Sequence, residues 1–206
     1  MTFLYDIGRV LLDFDFEPSM ARLYPPDITD PAGRMNLLLE RKDEFETGKI
    51  EIDSYIDWAL ETLGSQATPE EFRHAWQQIF TPNEPMWRCV RQLAADGHRL
   101  ILFSNINGIH WPWITEEFPE FSVFHDAVLS FKTGYIKPQP GIYHHAIGQH
   151  SLVPAETLYI DDLPANCATG RDLGFRTWQY DLKNHAAFES WLASELAASS
   201  PITLNQ

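Results

Sequence analysis

From about residue 83 onward the chain alternates short apolar runs with segments of helical period, and few folds can accommodate that rhythm. Residues 85–97 read as a helix closed by Gly97, where the left-handed backbone of a helix end favours glycine. Residues 99–103 read as a buried strand that stops at Ser104-Asn105. Residues 127–129 form a short strand and 142–147 a helix. Residues 157–160 form a strand ending on Asp161-Asp162, and 164–173 a helix closed by Gly174. A strand over 175–180 and a helix over 188–196 complete the pattern. Such alternation places parallel strands in one sheet with helices on both faces. Residues 2–5 are one more apolar strand of this kind, and they end on Asp6.

Residues 16–82 differ in texture. Ile52, Tyr55, Ile56, Ala59, Leu60 and Leu63 recur at helical spacing. Thr68-Pro69-Glu70-Glu71 reads as a helix start, with an N-cap, a proline in the first turn and acids beside it. Trp76, Ile79 and Phe80 then mark the core face of that helix. No strand is expected in this stretch. The expected organisation is a core of residues 1–15 and 83–206 interrupted by a helical insertion over 16–82.

With 206 residues and 44% hydrophobic content, the chain can bury a sizeable core. Its net charge of −14 repels nucleic acid and anionic membranes, so neither is expected as a partner. No apolar run is long enough to span a bilayer, and the first one breaks at Asp6, so no secretory leader is expected. Cys89 and Cys167 make no disulfide framework, which points to a reducing, cytoplasmic setting.

In a doubly wound sheet, ligands bind at the carboxyl ends of the strands. Three strands here end on polar residues: Asp6, Ser104-Asn105 and Asp161-Asp162. Carboxylates gathered from different strands repel one another unless a cation lies between them. An all-oxygen donor set, without a cysteine or histidine cluster, favours Mg²⁺. Lys137, in a loop ahead of a helix, is placed to reach the same edge. A cation, a lysine, a hydroxyl and a carboxylate are what phosphoryl transfer to a nucleophilic aspartate requires. His144, His145 and His150 read as surface residues, and Trp111-Pro112-Trp113 as packing on the domain.

These motifs, in this order and spacing, resemble the haloacid dehalogenase (HAD) superfamily, most of whose members are Mg²⁺-dependent phosphatases. Asp6-Ile7-Gly8-Arg9-Val10, Ser104-Asn105, Lys137-Pro138 and Tyr159-Ile160-Asp161-Asp162 with Asn166 match its four motifs. Further stretches, Phe45-Glu46-x-Gly48 and Ser104-Asn105-x-Asn107 with His110, are similar to the YihX-like alpha-D-glucose-1-phosphate phosphatase branch. The resemblance implies a Rossmann-like core with an inserted cap of the four-helix type, and a small phosphorylated, sugar-phosphate-like substrate. It also implies roles. Asp6 attacks phosphorus, while Asp6, the Gly8 carbonyl and Asp162 hold Mg²⁺, with Asp161 as a further ligand or just behind them. Ser104 and Asn105 bind phosphoryl oxygens, Lys137 neutralises the phosphate and Asp6, and Asn166 orients the loop.

Two departures stand out. Most phosphatases of the superfamily carry a second aspartate two residues after the nucleophile, as acid and base. Here that place holds Gly8, as it does in the YihX-like branch. Asp13, Asp15 and His110 are the substitutes in view. Arg9 stands where a small residue or asparagine is usual, and either faces the substrate or pairs with acidic surface. Glu46, Arg41 and Trp76 are loose candidates for substrate selection. Two alternatives compete with the phosphatase: a 2-haloacid dehalogenase, which needs no metal and also lacks the second aspartate, and a non-catalytic binding protein.

Overall fold

A computed structural model describes residues 1–199. Five parallel strands form the central sheet: β1 (Thr2–Tyr5), β4 (Arg99–Ser104), β5 (Asp126–Leu129), β6 (Thr157–Asp161) and β7 (Arg176–Gln179). Their order is β5-β4-β1-β6-β7, so β1 lies at the centre. From β1 the chain builds outward through β4 and β5, then crosses back to add β6 and β7 on the other side. The polar residues that follow β1, β4 and β6 therefore meet at the reversal of strand order, where open α/β sheets bind ligands.

Both faces of β1 are covered, and the period of two decides which residue faces which layer. Phe3 and Tyr5 join Leu100, Leu102, Leu158 and Ile160 in one apolar cluster. That cluster is sealed by α6 (Glu84–Ala95) and α11 (His185–Ser199). Leu4 points the other way, to Ile101, Phe103 and Tyr159, and packs against Ile142, Tyr143 and Ala146 of α9 (Pro140–His150). Each fully buried side chain of this size contributes about 1.5–3 kcal/mol. The expected strands and helices of residues 83–199 are present, with the helices over 142–147 and 188–196 longer than their apolar stretches suggest.

Between β1 and α6 lie α1 (Glu17–Met20), α2 (Pro31–Glu40), α3 (Lys42–Glu46), α4 (Ile52–Leu63) and α5 (Pro69–Gln77). They gather a separate apolar cluster around Leu38, Tyr55, Ile56, Leu63, Phe72 and Trp76. Thr68 and Glu71 form a full capping box at the start of α5, as their spacing predicts.

Three expectations fail. α5 ends at Gln77, so Ile79 and Phe80 lie beyond the helix whose core face they are expected to mark, and only Trp76 is on it. Residues 16–82 do contain a strand, β3 (Phe80–Pro82), which pairs antiparallel with β2 (Leu12–Phe14) where the chain leaves and re-enters the sheet. Three residues are too short to show an alternating pattern, and the pairing partner is far away in sequence. His150 is buried, not on the surface, and its Nδ1 lies 3.4 Å from Asp126. Trp113 packs as expected, against Phe80 and Phe118. Among the described residues, no helix is long and apolar enough to cross a membrane.

Candidate active site

The apolar run of β1 ends where Asp6 emerges at the sheet edge. Its Oδ1 accepts from the Ile7 amide at 2.8 Å and from the Ser104 hydroxyl at 2.7 Å, and lies 3.1 Å from Lys137 Nζ. Among the described residues no donor is bonded to Oδ2. The chain then turns tightly: the Leu11 and Leu12 amides both donate to the Ile7 carbonyl at 2.9 Å. Arg9 takes a left-handed φ of 57° in this turn. A Cβ added to Gly8 would lie 3.1 Å from the Phe14 ring, so that ring fills the space of a side chain.

Lys137 is wholly buried. Its Nζ donates to the Phe103 carbonyl at 2.7 Å and to Asp161 Oδ2 at 2.6 Å, beside Asp6. Burial alone would lower its pKa, but the Asp161 and Asp6 carboxylates together raise it, so the ammonium is permanent at neutral pH. The Asn105 side chain clasps the lysine backbone, donating to its carbonyl and accepting from its amide, both at 2.9 Å. That amide group is thus spent on placing Lys137.

Asp161 accepts from Lys137, from the Tyr159 hydroxyl at 2.6 Å, from the Leu163 amide at 2.9 Å, and from Asn166 Nδ2 at 2.9 and 3.1 Å. Burial would raise its pKa, yet Lys137 and these donors hold it below the usual carboxylate range. Both its oxygens are thus occupied by donors from the protein. Asp162 is different: burial, then Asp6 and Asp161, push its carboxyl up to about 7. Oxygens of Asp6, Asp161 and Asp162 lie within 4.8 Å of one another. Burial also raises the Asp6 carboxyl against the pull of Lys137; three carboxylates so close, two of them reluctant to ionise, fit a hard divalent cation.

A cavity of about 360 Å³ opens on Asp6, Ser104, Lys137 and Asp162. Its far wall carries the rings of Phe14, Phe16, Phe45, Tyr55, Trp76 and Phe80, together with Glu46. The named substitutes for the missing acid and base do not serve. Asp13 and Asp15 do not line the cavity; Asp13 is ion-paired to Arg9, and Asp15 accepts from the Glu17 amide. His110 lines it, but Nε2 is 2.9 Å from the Trp76 carbonyl and Nδ1 is 3.1 Å from Asn107 Nδ2. Burial holds that imidazole at about 4, hence neutral. Arg9 also lines the cavity, with its guanidinium paired to Asp13 and lying 4.3 Å over the Phe14 ring. Of the loose candidates, Glu46 and Trp76 reach the cavity; Arg41 bonds Glu44 instead.

Sequence reasoning placed Tyr159 in a motif without a role for its hydroxyl, and missed Ser130. Tyr159 shares a strand face with Asp161, a relation that the period of two could have revealed. Ser130 accepts from the Ile106 amide at 2.9 Å and donates to its carbonyl at 3.0 Å, fixing the loop after Ser104; no sequence signal announces it.

No protein-family model matches the chain. It is 28% identical over 188 residues to a D-ribitol-5-phosphate phosphatase of Bacteroides thetaiotaomicron, covering 85% of this chain and 89% of that protein. It is 27% identical over 140 residues to a sesquiterpene phosphatase of Aspergillus oryzae, covering 66% of this chain and 69% of that protein. Its backbone superposes with a TM-score of 0.73 and 25% identity on a HAD family enzyme of B. thetaiotaomicron, crystallised in complex with magnesium and inorganic phosphate. That match covers 88% of this chain and 94% of the other. The chain has the fold of the HAD family enzymes. The HAD fold accounts for the edge on which Asp6, Ser104, Lys137 and Asp161 converge.

Proposed function

We propose that this chain is a Mg²⁺-dependent phosphatase of small phosphorylated metabolites that works through an aspartyl-phosphate on Asp6. The observation that carries this reading is the asymmetry of the Asp6 carboxylate. Oδ1 is fixed by Ile7, Ser104 and Lys137, while Oδ2 carries no bond from the described residues. A carboxylate held by one oxygen presents the other for attack. Asp6, Asp162 and the Gly8 carbonyl hold the cation, with Asp161 behind them; the cation neutralises phosphate charge. Lys137 and Ser104 meet the phosphoryl oxygens, and Arg9 lies at the rim of the same cavity.

The helices of residues 16–82 act as a cap over a core of residues 1–15 and 83–206. They supply the aromatic wall and keep water from the reacting group. The magnesium and phosphate bound by the similar HAD family enzyme support the cofactor. Both cysteines are unpaired thiols, which suits the cytoplasm.

Two leaving-group classes are in contention. The ribitol-phosphatase relative favours a sugar or polyol phosphate. The six aromatic rings favour a more apolar alcohol, a preference that agrees with the sesquiterpene-phosphatase relative. A dehalogenase would have no use for three crowded carboxylates, and a binding protein none for so well-placed a nucleophile.

The test is phosphate release from polyol, sugar and terpenyl phosphates, with Mg²⁺ and with EDTA, alongside Asp6→Asn. Release that requires Mg²⁺ and vanishes in the variant is expected. Halide release from 2-haloacids in EDTA would move the assignment to the dehalogenase.

A further inference from the structure

The cavity is lined by three carboxyl groups: Asp6, Asp162 and Glu46. The first two belong to the nucleophile and the cation site. Glu46 is only 7% exposed, and its Oε2 is buried without a hydrogen-bond partner. Lys42 Nζ approaches no closer than 3.7 Å and is itself half in solvent. A buried carboxyl that nothing satisfies is costly to keep unless a ligand completes it.

Its position is also firm. Glu46 ends α3, and two residues later Gly48 turns with a φ of +70°. A Cβ on Gly48 would meet the Phe131 carbonyl oxygen at 2.7 Å, so this turn rests directly on the backbone of the core. Phe45, next to Glu46, stacks flat on Tyr55 with ring centroids 3.9 Å apart. The end of α3 is thus clamped from both sides. Meanwhile the place two residues after Asp6 has no side chain, and His110, Asp13 and Asp15 are otherwise engaged.

We propose that Glu46 is the acid and base of the reaction, supplied by the cap in place of the carboxylate missing at Gly8. This rests on the phosphatase reading of the same cavity. As Asp6 Oδ2 bonds to phosphorus, the bond from phosphorus to the leaving oxygen breaks, and that oxygen takes the Glu46 proton to leave as an alcohol. The Glu46 carboxylate then removes a proton from water. The water oxygen bonds to phosphorus, the bond to Asp6 breaks, and phosphate, the Asp6 carboxylate and protonated Glu46 are restored. Burial, with Asp43 and Asp6 nearby and only Lys42 and Lys137 opposing, raises the Glu46 carboxyl to about 7, which suits both halves of the cycle.

The experiment compares kcat/KM of wild type and Glu46→Gln on two esters. One is the alkyl phosphate the wild type cleaves best; the other is p-nitrophenyl phosphate, whose leaving group departs without a proton. The expected result is a fall of about 10²–10⁴-fold on the alkyl ester, with p-nitrophenyl phosphate nearly unchanged. Glu46→Asp recovers part of the alkyl activity. Equal falls on both esters, or no fall, overturn the assignment of Glu46 and leave the phosphatase reading standing. A wild type inert towards every ester overturns both.

Discussion

The Lys137 ammonium donates to Asp161 Oδ2 at 2.6 Å, and neither side chain is exposed to solvent. This pair is the base on which the Asp6 side chain is aimed, since the same ammonium reaches Asp6 Oδ1 at 3.1 Å. Removing Asp161 leaves the buried ammonium only its longer contact with Asp6, a loss of up to about 3–5 kcal/mol. Asp161→Asn is therefore expected to lower the stability measured by urea unfolding by that amount at pH 7. The sign of its pH dependence follows from the direction of the shift. Asp161 is held below the usual carboxylate range, so its contribution is present above about pH 4 and fades as pH falls. The gap between wild type and variant should narrow in acid.

Asn105→Ala separates placing Lys137 from binding phosphate. Its amide makes two bonds to the lysine backbone, and losing them is expected to cost about 1–3 kcal/mol and to lower kcat through a displaced Lys137. A rise in KM alone, with unfolding unchanged, would instead assign that side chain to the substrate.

The crowding of Asp6, Asp161 and Asp162 makes a prediction about metal. Asp162 is raised to about 7, so above its unfolded value of about 4 its ionisation opposes folding. In EDTA at pH 8, Asp162→Asn should melt higher than wild type, and the difference should close as pH falls towards 4. Adding Mg²⁺ should raise the wild-type melting temperature and leave the variant almost unmoved.

Gly48→Ala tests the clamp at the end of α3. An alanine must take a left-handed backbone, at about 1–2 kcal/mol, and would press on the Phe131 carbonyl. Lower thermal stability is expected, together with a fall in kcat/KM on alkyl phosphates larger than the fall on p-nitrophenyl phosphate.

The core was legible because its signals are local. Apolar runs with period two, glycines at helix ends and the capping box of Thr68 and Glu71 each act over a few residues. The polar ends of β1, β4 and β6 could be named from the same pattern, but their adjacency depends on strand order. Strand order is set by crossovers that no short window contains. The pairing of Phe14 with Phe80 was hidden for the same reason. The Asn105 side chain looked like a phosphate ligand and holds a backbone instead, because a side chain's partner is chosen by neighbours brought from elsewhere in the chain. His150 read as surface since its neighbour Asp126 lies on β5, away from its own helix α9.

Phe14 fills the space beside Gly8, lies 4.3 Å beneath the Arg9 guanidinium and meets the rings of Phe16 and Phe80 edge-on. Asp13 in turn anchors Arg9. Writing Gly8→Asp to rebuild the usual pair of carboxylates thus sets the new side chain against a ring hemmed in by its neighbours. The repair reads as one letter, yet it is coupled to residue 14: the aspartate needs the Phe14 ring to give by a few tenths of an ångström or to be made smaller in the same step. Residue 8 and residue 14 are one unit of design.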